Sequence, residues 1–187
     1  MIEHEELDGL MRSLGGKKIA SDGGDEWLFT EGDFGVEIEP GFRCCKGTIT
    51  VAVDASVSHA RISEIASLIT GKKLGTRQQV EWHQCSEDIP DDGDRDGALR
   101  RVVARELLRV KQLSLESIVE SYAAPGPPPT RSLGQIVHLA ALAYKADVHR
   151  LTEYLQGMKR GKRFGLVPMI TQEMVERAID LAIEQVK

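Results

Sequence analysis

Aromatic residues, cysteines and long apolar runs are all scarce in this chain. Phe, Trp and Tyr make up 5% of its 187 residues, so aliphatic side chains must form most of the core. The 3 cysteines, of which Cys44 and Cys45 are adjacent, are too few for a disulfide framework. No apolar run approaches the ~20 residues of a membrane-spanning helix. We therefore expect neither a disulfide-stabilised nor a membrane-embedded protein.

An excess of basic residues is also lacking. The formal net charge is -5, whereas proteins that bind nucleic acids or anionic membranes rely on a broad basic surface. The first residues, Met1 to Glu6, are acidic and lack the basic and then apolar pattern of a signal peptide. These features predict a cytoplasmic protein with no nucleic-acid or membrane partner. No motif in the sequence indicates a cofactor.

The first part of the chain alternates between helical and extended patterns. Residues 3–14 carry an apolar helical stripe that ends at Gly15-Gly16. Strands are predicted at residues 26–30, 34–39 and 42–54, with turns at 31–33 and at Pro40-Gly41. Because the connections are short, these strands are expected to pair antiparallel as a meander.

Four further elements are predicted before a proline-rich stretch. Ser58 is expected to cap a helix that runs to about Thr70 and ends at Gly71. The segments that follow are predicted to be a fourth strand at a sheet edge (78–84), an acidic loop (86–96) and a long helix with a bend near Ser114 (97–122).

Three amphipathic helices are predicted after the stretch Pro125-Gly126-Pro127-Pro128-Pro129, through which no helix can continue. Asp147 and Thr171 are the expected N-caps of the second and third. The pattern predicts an α+β fold: an antiparallel sheet of four or more strands, covered by helices, with a C-terminal three-helix extension. The predicted domains are a sheet-and-helix domain (1–124), a connection (125–129) and a helical extension packed on the first part (130–187).

An acidic segment offers the sharpest local motif. Asp92-Gly93-Asp94-Arg95-Asp96-Gly97 matches the first half of a calcium loop, which would make Asp92, Asp94 and Asp96 metal ligands. The twelfth loop position, which should be a bidentate Glu, is Val103. The alternative is a solvated acidic loop whose Asp94 and Asp96 lie at a helix N-terminus. In a binding protein, Asp92 and Asp94 of this loop would contact a basic partner.

A basic segment with an adjacent aromatic residue is the second candidate surface. Its predicted partner-binding residues are Lys159, Arg160, Lys162, Arg163 and Phe164. The cations could equally form a solvated helix end, and Phe164 could simply pack the loop onto the core.

No sequence motif supplies catalytic residues. Gly71-Lys72-Lys73 is not a phosphate-binding loop, because Lys73 replaces the required Ser or Thr. His138 lies among Leu and Ala residues and is expected to be a hydrogen-bonded histidine of the core or its edge rather than a base. We therefore expect a non-catalytic protein. An enzyme that uses a metal at residues 92–96, or phosphate at residues 159–163, stays an alternative.

The order of elements in residues 1–122 resembles the small acidic type III secretion chaperones. The resemblance is carried by the helix that ends at Leu14-Gly15-Gly16, the acidic glycine turn 22–25, strands that end in 48–54 and the helix 58–70. Those chaperones are α/β sandwiches, usually dimers, which bind an extended segment of a secreted protein. The resemblance implies a bacterial protein with a protein partner, and a homodimer. An immunity protein that neutralises a toxin through a rigid charged surface is the other binding function that suits the composition.

Overall fold

A computed structural model of the chain describes residues 4–19, 25–71, 77–128 and 132–186. Within these residues it contains seven helices and five strands, in the order α1 (His4–Ser13), β1 (Lys17–Ile19), β2 (Glu26–Glu31), β3 (Phe34–Cys45), β4 (Thr48–His59), α2 (Ala60–Thr70), β5 (Gln79–Pro90), α3 (Arg95–Val110), α4 (Leu115–Tyr122), α5 (Ser132–Tyr144), α6 (Val148–Lys159) and α7 (Gln172–Glu184). The strands form one antiparallel sheet in sequence order, β1 to β5. The predicted α+β class, with a sheet covered by helices, is confirmed.

The hairpin between β3 and β4 turns at Lys46-Gly47, not at Pro40-Gly41 as predicted. Both turn residues have positive φ, 46° for Lys46 and 83° for Gly47, as a two-residue hairpin with a type I′ turn requires. Pro40 lies inside β3. The described pairing of β2 with β3 runs from Glu31↔Phe34 to Trp27↔Ile38. Pro40 lies beyond these pairs, so its missing N–H removes no hydrogen bond from them.

The acidic segment is also more ordered than predicted. Residues 86–90 belong to β5, and only residues 91–94 separate that strand from α3. Glu87 on β5 pairs with Arg101 of α3 at 2.6 Å, so this carboxylate has an oppositely charged partner on the helix that packs on the sheet.

The predicted helix 97–122 is two helices, α3 and α4. Ser114 caps the second by accepting a hydrogen bond from Ser117 N at 3.0 Å.

Local capping signals are partly confirmed. Gly71 ends α2 with φ of 67°, as expected, and Asp147 and Thr171 cap α6 and α7. The N-cap of α2, however, is His59 rather than Ser58. His59 Nδ1 accepts from Arg61 N at 3.1 Å, while Ser58 still belongs to β4.

The chain divides into two compact units. The first comprises Met1–Val57 and Glu81–Gln112, and the second Ser58–Val80 and Leu113–Lys187. In the first unit, α1 and α3 contact one face of the sheet. Trp27 Nε1 donates to Asp8 of α1 at 3.2 Å, and the aliphatic core residues include Val36, Ile38 and Val51.

The second unit is organised around α5. Residues 135–143 of this helix are all buried, which is the pattern of a helix surrounded by others. It contacts α2, α4, α6 and α7, and α7 also packs on α2. Arg177 of α7 donates to the carbonyl of Ile69 at 3.1 Å and so ties the end of α2 to α7.

Candidate functional site

A groove of about 550 Å³ lies on the second unit. Its lining residues are Pro125, Gly126, Pro127, Asp147, His149, Arg150, Glu153, Tyr154 and Phe164. A smaller concavity of about 230 Å³ is lined by Glu153, Tyr154, Gln156, Arg160 and Phe164. Phe164 therefore borders both spaces, and we call the larger one the Phe164 groove.

Phe164 is held in place although its side chain is exposed. It retains 53% of its accessible surface and has a φ of 51°, in the left-handed region. Its ring packs on Gly157 of α6, where an added Cβ would lie 2.0 Å from ring atom Cε2. The ring centroid is 6.2 Å from that of Tyr154. Glycine at position 157 is thus what allows the ring to occupy this place.

Arg163 anchors the segment that presents Phe164. Its guanidinium donates to three backbone carbonyls, those of Leu166 at 2.9 Å, Val167 at 2.5 Å and Ile170 at 2.6 Å. Because these bonds occupy the guanidinium fork, Arg163 serves as an internal brace in this structure.

Gln135 fixes the same segment from α5. Its side chain is buried, and Nε2 donates to the carbonyls of Gly165 at 3.1 Å and Pro128 at 3.3 Å. Its Oε1 accepts from Val167 N at 2.8 Å. One amide therefore joins the loop after α6 to Pro128 of the proline-rich stretch.

The remaining basic residues of the predicted site lie at the surface. Lys159 is 3.7 Å from Glu176, and Arg160 donates to the carbonyl of Gln156 at 3.1 Å. The Lys162 side chain is exposed. Of these three cations, only Arg160 lines one of the two concavities. The structure thus brings Phe164 and Arg160 together and turns Arg163 inward.

A buried hydrogen-bond chain supports the wall of the groove. His138 Nδ1 is 2.5 Å from the carbonyl of Tyr122, and Nε2 is 3.0 Å from the hydroxyl of Tyr154. Since a carbonyl can only accept, Nδ1 carries the proton and the Tyr154 hydroxyl donates to Nε2. Burial lowers the pKa of His138 and raises the pKa of Tyr154, so both groups stay neutral. The expectation of a hydrogen-bonded core histidine is confirmed.

The rim of the groove carries charges of both signs. Arg150 donates to the carbonyls of Ala123 at 2.5 Å and Ala124 at 3.1 Å, and pairs with Asp147 at 2.7 Å. His149 and Glu153 are exposed and lie 3.6 Å apart. Arg150 is therefore held by bonds within the protein, whereas His149 and Glu153 are exposed to solvent.

The acidic residues singled out in the sequence lie on the first unit. Asp92 is exposed in the turn after β5, Asp96 lies in the first turn of α3, and Asp94 caps α3 by accepting from Gly97 N at 2.8 Å. In the described parts of the chain, no three His, Cys, Asp or Glu side chains form a cluster that could hold a metal ion. Asp92, Asp94 and Asp96 accordingly do not converge as calcium ligands would.

One charged network was not anticipated. Glu106 of α3 is only 1% exposed; it accepts from Arg109 at 2.6 Å and lies 2.7 Å from His83 Nδ1. Arg109 also pairs with Glu81 at 2.5 Å. Burial acts to raise the pKa of Glu106, but the hydrogen bonds from Arg109 and His83 outweigh it and leave the pKa lowered. The sequence contains one signal that predicts the burial of Glu106. Its spacing places it on the same helical stripe as the buried residues Leu99, Val102, Val103 and Val110.

Fold and site together define an α+β protein built on a five-stranded antiparallel sheet, with a rigidly presented aromatic residue beside an open groove. The model of a family of unknown function, DUF6990, matches residues 4–183, so the chain belongs to that family. Neither a curated protein nor a solved structure matches the chain. In the described portion, no helix is both long and apolar enough to cross a membrane.

Proposed function

We propose that this protein is a non-catalytic binding protein that captures a segment of another protein in the Phe164 groove. The observation that carries the proposal is that Phe164 is half exposed and yet fixed by Gly157, Arg163 and Gln135. Association costs less when a contact residue is already ordered, because little side-chain and loop entropy remains to be lost. A few anchor residues supply most of the binding free energy in protein interfaces, and Phe is among the residues enriched there.

The composition of the groove favours a polypeptide ligand. Phe164, Tyr154 and the prolines 125 and 127 supply apolar surface, and Arg150, Glu153 and His149 supply a charged rim. An apolar centre with a polar rim is the arrangement of protein interfaces. A partner segment would place an apolar side chain against Phe164 and polar groups on the rim.

Two forms of this function stay open, and we favour the first. In secretion-chaperone-like capture, the ligand is an extended segment of a partner protein that lies along the groove. In an immunity protein, the ligand is a folded toxin or effector domain. This preference rests on the resemblance of residues 1–122 to the secretion chaperones, whereas the groove itself is lined by residues between 125 and 164.

Site-specific photo-cross-linking distinguishes these forms. A benzophenone-bearing phenylalanine derivative is introduced at position 164, and at the exposed position Leu108 on the other unit as a control. In cells of the native host, position 164 should cross-link one protein that position 108 does not. A cross-link within a terminal extended segment supports chaperone-like capture, and one within a folded domain supports immunity. Identical products from both positions would contradict the proposal.

Two substitutions then measure what Phe164 contributes. Phe164→Ala should weaken binding of the captured partner by about tenfold or more, the usual size of a hot-spot effect. Gly157→Ala should weaken it too, because the new Cβ displaces a ring that is chemically unchanged. Met169→Ala is the matched control, since Met169 is exposed beyond both concavities. Isothermal titration calorimetry gives the affinities. Wild-type affinity in Phe164→Ala would place the partner elsewhere.

A further inference from the structure

Among the described residues of the first unit, helices contact only one face of the sheet. The helices α1 and α3 contact the face that carries Trp27 and Glu87. On the other face, hydrogen bonds join β4 to β5: Thr50 Oγ1 donates to Asp88 at 2.6 Å, and Gln84 Nε2 donates to Asp54 at 2.9 Å. We call this second surface the open sheet face, and no described helix of the first unit covers it.

A concavity of about 350 Å³ lies on the open sheet face. It spans three strands, and its lining includes Arg43, Thr50, Ala52, Asp54, Gln84 and Ser86. Because Ala52 and Ser86 have small side chains, they leave space above the sheet that side chains of a partner can fill. Side chains two apart on a strand point the same way, which places Trp82 beside Gln84 on this face.

Trp82 is the more exposed of two large apolar groups at this surface; the other, Phe42, lines the concavity and is 37% exposed. Trp82 is 59% exposed, whereas the other tryptophan of the chain, Trp27, is 0% exposed. Trp82 lies on β5, the last strand of the sheet. An exposed tryptophan offers both apolar area and a ring face that attracts cations.

The charges of β5 differ between its two faces. On the helix-covered face, Glu81 pairs with Arg109, and Glu87 pairs with Arg101 and Arg105. On the open sheet face, Asp54 and Asp88 form no ion pair with a described cation. Glu39 forms none either, and alternation along β3 places it on the face of Arg43. The arginines of α3 thus neutralise one face only, and the other keeps an excess of carboxylates.

We infer that the open sheet face is a docking surface for a basic segment of a partner protein. Lysine or arginine side chains of that segment pair with Asp54, Asp88 and Glu39, and one of its cations or apolar groups stacks on Trp82. A second copy of this chain is a poorer occupant, since a symmetric dimer places the same carboxylates opposite one another. This surface belongs to the first unit and does not depend on the Phe164 groove.

The test uses the full-length protein and a fluorescein-labelled peptide of alternating lysine and leucine. A peptide with glutamate in place of lysine is the control. Fluorescence anisotropy should show binding of the lysine peptide alone, with an affinity that falls as salt is added. Binding should also reduce acrylamide quenching of tryptophan, which reports Trp82 because Trp27 is buried. Unchanged quenching at saturating lysine peptide would overturn the inference.

Matched variants separate a local site from general charge attraction. The double substitution Asp54→Asn with Asp88→Asn should weaken peptide binding several-fold or more. The double substitution Asp180→Asn with Glu184→Gln, on exposed positions of α7, changes the net charge equally and should leave binding unchanged.

The apolar contact is tested separately. Trp82→Ala should weaken peptide binding by about tenfold, and Leu108→Ala should not. Equal loss in the two double variants would show a nonspecific charge effect and overturn the inference. So would a dimer in sedimentation that Trp82→Ala dissociates, because the second copy would then be the occupant.

Discussion

At the scale of single residues, His138 shows how burial decides a protonation state. The residue is fully buried, and desolvation is the main cause that lowers its pKa below the ordinary value of 6.5. Arg150 acts in the same direction, whereas the bond to Tyr122 acts against it. The neutral ring then accepts the hydrogen bond from Tyr154, a wall residue of the Phe164 groove.

Acidification should therefore destabilise the protein through His138. The unfolded chain takes up a proton near pH 6.5 while the folded chain does so only at lower pH, so stability is lost as pH falls below about 6.5. The slope from this group is at most about 1.4 kcal/mol per pH unit. Urea unfolding between about pH 7.5 and about pH 5 measures it. His138→Gln should lose this slope, and His149→Gln, at an exposed position, should keep it. A full slope in His138→Gln would refute the assignment.

Glu106 acts in a different pH range. Its pKa lies below the ordinary value of 4.5, so the folded state favours the carboxylate. The stability that it contributes is present above that value and is lost only when pH falls further. The two buried groups can thus be told apart in one titration.

At the scale of elements, the Lys46-Gly47 turn determines where β3 ends and β4 begins, and each of these strands has 12 residues. Gly47 has a φ of 83°, and an added Cβ would meet no atom within 4 Å. A side chain at this position would therefore cause no steric clash, and its only cost would be the left-handed backbone conformation. Gly41 also has open space around it but no positive φ, and it lies within β3.

Alanine at these two glycines should have unequal effects. Gly47→Ala should lower the free energy of unfolding by about 1–2 kcal/mol, because an L-residue is strained in the left-handed region. Gly41→Ala should change it by no more than about 0.5 kcal/mol. Urea unfolding of the two variants measures the difference. If Gly41→Ala were the more damaging change, the hairpin would turn at Pro40-Gly41 instead.

At the scale of the whole molecule, the helices after the proline-rich stretch complete the core around α2. Both α5 and α7 pack on α2, whose buried face carries Ile62, Ile65 and Ile69. The second unit therefore combines residues 58–80 with residues from 113 onward. The predicted domain boundary at 125–129 stays a prediction.

Truncation after Ala124 should give an aggregating protein. It removes α5 and α7 and exposes the isoleucine face of α2, where each side chain contributes roughly 1.5–3 kcal/mol when buried. The soluble fraction after expression, compared with that of the full chain, is the measurement. A soluble 1–124 fragment with a cooperative thermal transition would show that the C-terminal helices are a separate module.

The sequence by itself determined the class of fold and much of the C-terminal half. The caps Asp147 and Thr171 and the stop at Gly71 act within a few residues, so local pattern was enough to find them. The alternation in β2 and the first part of β3 identified the start of the sheet for the same reason.

Only the tertiary structure decided the hairpin at Lys46-Gly47, the extension of β5 through residues 86–90, the burial of Glu106 and the fixed position of Phe164. The hairpin is local, but Lys46-Gly47 lacks the Asn-Gly or Asp-Gly pair that marks such a turn in a sequence. The last three depend on partners distant in sequence: Arg101 of α3 for Glu87 in residues 86–90, His83 of β5 for Glu106, and Gln135 of α5 for the loop that carries Phe164. Local periodicity carries no information on such partners, because their contribution to the free energy exists only once the chain has folded.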